Sequence, residues 1–559
     1  MAAGQQQQQN GPAKKEKLHG RAFYESIGSP KMIVAPMVDR SEFAWRMLTR
    51  SFMEPNSRPI LAYSPMFHAR LFREGDAYRE QHFEALRPNP ATHDSDDKVP
   101  YLDGNPVIDR PLIVQFCAND PDDLLAAARY VEPFCDAVDL NLGCPQNIAK
   151  RGRYGAFLQE DPDLIYRLIN TLHTNLSIPV TAKFRIQSTK EKTLEYAKMI
   201  LSAGASIITV HGRTREQKGH NTGLADWGYI RYLRDNLPPE TVIFANGNIL
   251  NHGDIERCLR ETGADGVMSA EGNLCDPSIF AGPPMKGSAL WAGEDVDRAY
   301  WVGRDGKGGY RMDFVTRRYM DIIHEYVLGK ERPVRKPLYR PGDPPTPPPS
   351  TESTGTTTTA PGQQQELEAK AENNHEEGPP RKKQKRSKTK EKYTRPTSPN
   401  LMAMQGHLFQ LLRPLVSVKT DVRDALARVR AGDIEAFEAV VGMVDRAVEE
   451  GIREYEACPE KFERKEVDED GDEWTGSRKT AAEYGRPWWV CQPYIRPLPE
   501  EALEKGAMKE KKRKLAQNQS LENNSNNQEE EGKSTGSPAE AGASDSGKEK
   551  DEPEKQCCG

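Results

Sequence analysis

Between residues 31 and 272, short apolar runs rich in β-branched residues alternate with stretches whose apolar positions recur at helical spacing. The runs are KMIVAPMV (31–38), ILAYS (60–64), LIVQF (112–116), AVDLNLG (137–143), PVTAKFRI (179–186), IITVHGR (207–213), VIFANGNI (242–249) and GVMSAEG (266–272). Runs that are apolar at successive rather than alternate positions belong to strands covered on both faces, so the pattern predicts a parallel sheet with helices packed over it. Eight strand–helix units in roughly 250 residues match the size and rhythm of a (β/α)8 TIM barrel. The competing layout, a doubly wound open sheet, calls for a glycine-rich turn after its first strand, and here that turn reads APMVDRSEF.

Helical periodicity resumes in YRMDFVTRRYMDIIHEYVL (310–328) and in LMAMQGHLFQLL, DVRDALARV and FEAVVGMVDRAVEEGIREY between residues 401 and 456. The chain is therefore expected to hold a barrel over 31–300 and one small helical domain over 310–330 and 401–458. Residues 331–400, with PGDPPTPPPSTESTGTTTTAPGQQQ, read as a disordered low-complexity insertion that cannot bury enough apolar surface to offset chain entropy. Residues 1–30 read as a largely disordered extension, and 500–559 as a disordered charged tail.

Composition adjusts this picture in three places. In 559 residues, 44 Gly, 42 Pro and a 36% hydrophobic share favour one large folded unit with unpacked segments over three domains. The formal charge of −6, from 78 basic and 84 acidic residues, averages over segments of opposite sign and leaves room for a polyanionic partner on a local basic surface. The basic runs at 381–392 and 509–514 have the density of nuclear import signals. The nine cysteines lack zinc-ligand spacing, nothing near the start resembles a secretory core, and no apolar run reaches membrane-spanning length. A reducing intracellular setting, nuclear, cytoplasmic or both, is the expectation, with no metal and no membrane.

Barrel active sites form where strands end, and polar residues interrupt the apolar runs there: Gln115, Asn141, Lys183, His211 and Asn246. Lysine is seldom buried without a partner, so Lys183 inside PVTAKFRI points to a site. Cys144 follows a strand end between Gly143 and Pro145, ahead of a loop bearing Lys150, Arg151 and Arg153. An exposed thiol at a barrel mouth is a candidate nucleophile or proton donor. The turns Asn246-Gly247-Asn248 and Ala270-Glu271-Gly272 close the seventh and eighth units, where barrel amides commonly hold a phosphate. The set suits a phosphorylated cofactor such as FMN without identifying one.

In this order PMVDRSEFAWRML, YSPMFHARLF, PLIVQFCAND, DLNLGCPQNIAKRGRYGAFL, VTAKFRI, TVHGRTREQKG, FANGNI and GVMSAEGNL resemble the tRNA-dihydrouridine synthases. The best match is the eukaryotic subgroup acting on uridines 16 and 17 of the D loop. The resemblance is dense from 31 to about 280 and weaker over MQGHLFQLL and DVRDALA. It implies an FMN-bearing barrel and a helical domain that grips tRNA, with messenger RNA left open as a second substrate and a monomer as the working form. Pro36, Met37 and Val38 would lie against the flavin, and Gln115 and Asn141 would hydrogen-bond its ring. Lys183 would reach its pyrimidine edge with His211 assisting. Asn246, Gly247, Asn248, Ala270 and Glu271 would hold the phosphate end. Cys144 would be catalytic. NADPH would reduce the flavin, whose hydride would pass to uracil C6 while the thiol, with an ordinary pKa near ~8.5, protonates C5. Lys150, Arg151, Arg153, Arg213 and Arg215 would neutralise RNA phosphates.

The chain departs from the bacterial pattern of Asn-Gly-Asp and Gly-Arg at Asn248 and at Ala270-Glu271, which removes a cation from the phosphate site. Two rival readings remain: a flavin barrel acting on a small metabolite, like dihydroorotate dehydrogenases, and a nuclear RNA-binding protein whose barrel is only a scaffold.

Overall fold

The structure, a computed structural model, describes residues 17–92, 94, 96–291, 295–344, 397–462, 476–498 and 501. The basic runs at 381–392 and 509–514, most of the predicted insertion and nearly all of the predicted tail lie outside the described residues.

Each of the eight runs carries a strand: β1 (Met32–Val34), β2 (Leu61–His68), β3 (Leu112–Cys117), β4 (Ala137–Leu142), β5 (Val180–Arg185), β6 (Ile207–His211), β7 (Val242–Asn246) and β8 (Gly266–Ser269). They hydrogen-bond in the order β1-β8-β7-β6-β5-β4-β3-β2 and close into an all-parallel barrel. Every residue of β3 to β8 is buried, which is why these runs do not alternate. The second strand runs past its predicted end at Ser64. Its pairing with β3 shifts register between Tyr63 and Met66, and that irregularity takes in Pro65, which has no N–H to give the ladder.

The strands are followed by helices α1 (Phe43–Arg50), α2 (Ala69–Glu74), α3 (Pro121–Val131), α4 (Pro162–Asn175), α5 (Lys190–Ser202), α6 (Trp227–Asn236), α7 (Gly253–Thr262) and α8 (Glu271–Cys275). Side chains of Asp120, Asp161, Thr189 and Asp226 accept backbone N–H groups at the starts of α3 to α6, satisfying donors that a helix leaves open. Residues 17–30, placed by the sequence reading in a disordered extension, instead carry a helix, Gly20–Ser26. The Tyr24 hydroxyl donates to the Asp265 carbonyl at 3.0 Å, and Arg21 pairs with the Asp265 carboxylate at 2.6 Å, so this helix is fixed where β8 begins.

Beyond the barrel lie α9 (Met312–Ile322), α10 (Pro399–Leu411), α11 (Arg413–Val418), α12 (Thr420–Arg428) and α13 (Ile434–Ala457). Arg317 on α9 pairs with Asp445 on α13 at 2.7 Å. Asn400 at the start of α10 accepts the Ala44 N–H at 2.8 Å, and His407 stacks on Trp45 of α1 with centroids 4.1 Å apart. A further helix, α14 (Gly476–Tyr484), and the segment after it fall outside every predicted element. In that segment Trp489 is fully buried and Val490 bridges to Arg311.

Candidate active site at the barrel mouth

Asp139 and Asn141 are two residues apart on β4, so their side chains point to one face, the barrel interior. Asp139 Oδ1 accepts the Thr181 hydroxyl at 2.6 Å and its Oδ2 accepts Gln115 Nε2 at 2.8 Å. Gln115 Oε1 then accepts Asn141 Nδ2 at 2.8 Å, and Asn141 Oδ1 accepts the backbone N–H of Cys144 at 2.9 Å. A carboxylate can only accept, so Asp139 fixes which way both amides point, and the chain of bonds ends on the backbone of the cysteine. Each amide nitrogen keeps a second hydrogen that these bonds do not use.

Burial pushes the Asp139 carboxyl up to about 6, against the opposing pull of Thr181, Gln115 and the Lys183 charge. Because the folded value lies above the ordinary 3.8, ionising Asp139 removes stability as pH rises from about 4 to about 6. The loss is on the order of 3 kcal/mol. Asp139→Asn is therefore expected to abolish that slope: urea denaturation at several pH values should show the wild type losing stability relative to the variant across this window and not above it. Parallel pH dependences in the two proteins would refute the assignment.

Cys144 is only 2% exposed, which corrects the expectation of an exposed thiol. It packs with Cys117, Tyr154, Met66 and Phe157. Gly155, at φ +65°, lets the following turn lean on the cysteine: a Cβ there would stand 2.7 Å from the Cys144 carbonyl oxygen. That oxygen accepts the Ala156 N–H at 3.0 Å.

Lys183 sits opposite Asn141 in the β4–β5 ladder, and His211 opposite Asn246 in the β6–β7 ladder, so the predicted residues share one mouth. His211 Nε2 lies 3.0 Å from Arg213 Nη1. A guanidinium donates, so this ring nitrogen accepts and the single ring proton belongs on Nδ1. Burial first, then the charges of Arg185, Lys183, Arg213 and Arg496, hold His211 well below the ordinary histidine range. It is neutral at pH 7 and offers a hydrogen bond rather than a charge.

At the end of β7, Asn246 donates to the Met268 carbonyl at 3.0 Å, while its Oδ1 is buried with no hydrogen-bond partner. A buried acceptor left open at a strand end fits a ligand that brings a donor. The chain then turns through Gly247 (φ +105°) and Asn248 (φ +61°), both left-handed. Pro36 and Met37 are buried at the end of β1, whereas Val38 is 40% exposed, an apolar surface at the same mouth. Ala270 is buried ahead of α8, and Glu271, its first residue, forms an ion pair with Arg496.

Of the cations expected to face RNA, Lys150, Arg151 and Arg153 are exposed. Arg215 is half-engaged: it pairs with Glu160 at 2.7 Å and with Glu216 at 3.3 Å. Arg213 is placed differently. It is buried, donates to the Gly223 carbonyl at 2.9 Å and to Asn248 Oδ1 at 2.5 Å, and orients His211, so it is an internal strut and not a surface contact. A groove of about 910 Å3 beside the cysteine loop is lined by Lys150, Arg153, Phe157 and Arg215, together with Lys218, which the sequence reading missed. Lys218 donates to the Pro145 carbonyl at 2.7 Å, directly beside Cys144. Asp139 was also missed, although its spacing from Asn141, repeated by Thr181/Lys183 and Thr209/His211, marks a row of interior polar positions. Among the described residues no cluster of His, Cys, Asp and Glu could hold a metal ion, and no helix is long and apolar enough to cross a membrane.

Comparison with known proteins places these features in context. Residues 33–290 match the family described as Dihydrouridine synthase (Dus). A Schizosaccharomyces pombe protein named "tRNA-dihydrouridine(16/17) synthase [NAD(P)(+)]" is 42% identical over 484 residues, covering 86% of this chain and 92% of that one. The Saccharomyces cerevisiae protein of the same name is 41% identical over 485 residues, covering 86% and 88%. A human protein named "tRNA-dihydrouridine(20a/20b) synthase [NAD(P)+]-like" is 33% identical over 270 residues, covering 47% of this chain and 75% of that one. The likeness to the two fungal proteins thus extends well beyond the barrel.

Proposed function

The chain belongs to the dihydrouridine synthase family, and from that premise we propose that it reduces the C5–C6 double bond of uridines 16 and 17 in the tRNA D loop, using FMN and NADPH. The observation that supports this best is the polar rim itself: Gln115, Asn141, Cys144, Lys183, His211 and Asn246 converge on one barrel mouth, with an unused buried acceptor on Asn246. When bound, the flavin supplies the hydride that uracil C6 receives.

The residues of the chain do the rest. Gln115 and Asn141, oriented by Asp139, present their spare N–H groups to the ring system, and Pro36, Met37 and Val38 supply apolar contact. Lys183 places a positive charge at the pyrimidine edge, and neutral His211 donates from Nδ1. Asn246 to Asn248 with Ala270 and Glu271 enclose the phosphate end. A uridine inside folded tRNA is reached only by turning it out of its stack, and Cys144 then gives a proton to C5 on the face opposite the hydride. Lys150 and Arg153 at the rim of the groove, with the exposed Arg151 between them in sequence, meet RNA phosphates.

A yellow purified protein with flavin absorbance, forming dihydrouridine in tRNA under NADPH, is the expected result. Turnover on free pyrimidines with no activity on tRNA would favour the metabolite-reducing alternative. For Lys183→Ala, reduction of bound flavin by NADPH should slow ~10-fold or more in stopped flow, since a cation there stabilises the anionic reduced ring. A variant with the wild-type rate and flavin content would make Lys183 a structural residue.

A further inference from the structure

The eighth unit ends in Ala270-Glu271, with no cation of its own where a phosphate would sit. The structure brings one from elsewhere in the chain. After Trp489, residues 491–498 form no regular element and bring Arg496 to the end of β8. Within that strap Arg496 forms an ion pair with Glu271, and its guanidinium stands 5.1 Å from the Tyr494 ring centroid. Its side chain is 10% exposed, and its Nε is buried with no hydrogen-bond partner.

One open donor, the Arg496 Nε–H, therefore lies beside the end of β8. Arg185, Lys183, Arg213 and Arg496 all act on His211, and the carboxylate paired with Arg496 is Glu271. Burial, together with Arg496 and Arg185, pushes Arg213 down to about 9, and burial pushes Arg496 down to about 10. Both remain protonated at pH 7, so like charges are held together in a desolvated place, an arrangement that an anion would relieve.

We infer that Arg496 is the phosphate-binding cation of this site, delivered by the C-terminal strap in place of an arginine after β8. The ligand chemistry is a phosphate group. This rests on the proposed flavin site, where the phosphate is the monoester of FMN, and the alternative source is the phosphodiester backbone of bound tRNA. Glu271 holds the guanidinium in position and shares it with the phosphate, while the Nε–H has no acceptor among the described residues.

The test uses the full chain stripped of flavin and titrated with FMN and with riboflavin, which lacks the phosphate, followed by quenching of flavin fluorescence. Wild type is expected to prefer FMN. In Arg496→Ala the Kd for FMN should rise about 10- to 100-fold, the range of a charge-assisted hydrogen bond, while the Kd for riboflavin stays within about twofold. Arg496→Lys, which keeps charge and stem, should fall between and preserves the readout if truncation disturbs the strap. Unchanged FMN affinity in both variants would overturn the inference, as would equal weakening of FMN and riboflavin. A loss of tRNA affinity with FMN affinity intact would overturn it too, assigning Arg496 to the RNA backbone. Wild type that binds neither flavin would refute the proposed function itself, an outcome the wild-type titration separates from any effect of the variants.

Discussion

Replacing Cys144 with alanine is expected to lower dihydrouridine formation in tRNA by ~100-fold or more, the span associated with losing a general acid, while flavin content and NADPH oxidation by a small electron acceptor persist. The separation follows from how the residue is held. Asn141 grips the backbone N–H of Cys144, which alanine retains, so the bonds running from Asp139 through Gln115 to Asn141 are untouched. The lost atom is the sulfur alone, in a pocket with Met66, Tyr154 and Phe157. Cys144→Ser should recover little, since a hydroxyl is a far weaker acid. Dihydrouridine formed at the wild-type rate by the alanine variant, measured on purified tRNA, would remove the cysteine from the mechanism. If flavin were lost along with activity, Cys144 would instead be part of the cofactor's packing.

The barrel was readable because strands buried on both faces leave an unbroken apolar signature, and eight such runs at regular spacing admit few layouts. The same property exposed the site, since Lys183 or Asn141 stands out only against an apolar run. A residue whose chemistry depends on three-dimensional partners leaves no such mark in the sequence. Arg213 reads as a surface cation, yet its guanidinium is bonded to Gly223 and Asn248 and turned onto His211, and nothing in HGR distinguishes the two fates. Asp139 lies in a run that reads as plain strand, and the signal that could have found it is its two-residue spacing from Asn141, which puts both inside the barrel. Val38 was placed by resemblance, and its exposure at the end of β1 is compatible with that placement. Arg496 could not be read at all. It is far from the barrel in sequence, beyond a low-complexity stretch, in a segment with no periodicity, and its meaning comes only from lying against Glu271.

The strap that carries Arg496 depends on one side chain, and Trp489→Ala is expected to destabilise the protein by about 3 to 5 kcal/mol, the range for deleting a fully buried tryptophan. The indole is completely enclosed, with Phe462 at 5.0 Å and Trp301 and Tyr455 at 6.2 Å between centroids. It reaches α13 because Gly451 has no side chain: a Cβ there would come within 2.5 Å of the ring. On either side the backbone is fixed to the start of α9 and to the antiparallel hairpin of Tyr300–Val302 and Gly308–Tyr310: the Trp489 carbonyl accepts the Met312 N–H and the Cys491 N–H donates to the Tyr310 carbonyl, each at 2.9 Å. The ring therefore joins the strap, the hairpin and the long helix, and the cavity left by alanine would be lined by large aromatics that cannot all collapse inward. Trp488→Ala, at a partly exposed ring, should be several-fold milder. Urea denaturation gives the stabilities, and FMN titration of the folded variant gives the second readout. Because Arg496 lies on the same strap, Trp489→Ala should weaken FMN more than riboflavin at urea-free conditions, where most molecules remain folded. Stability lost without that selectivity would mean that the strap keeps its position without its anchor, and a stability within about 1 kcal/mol of wild type would mean that the buried indole does not hold this region together.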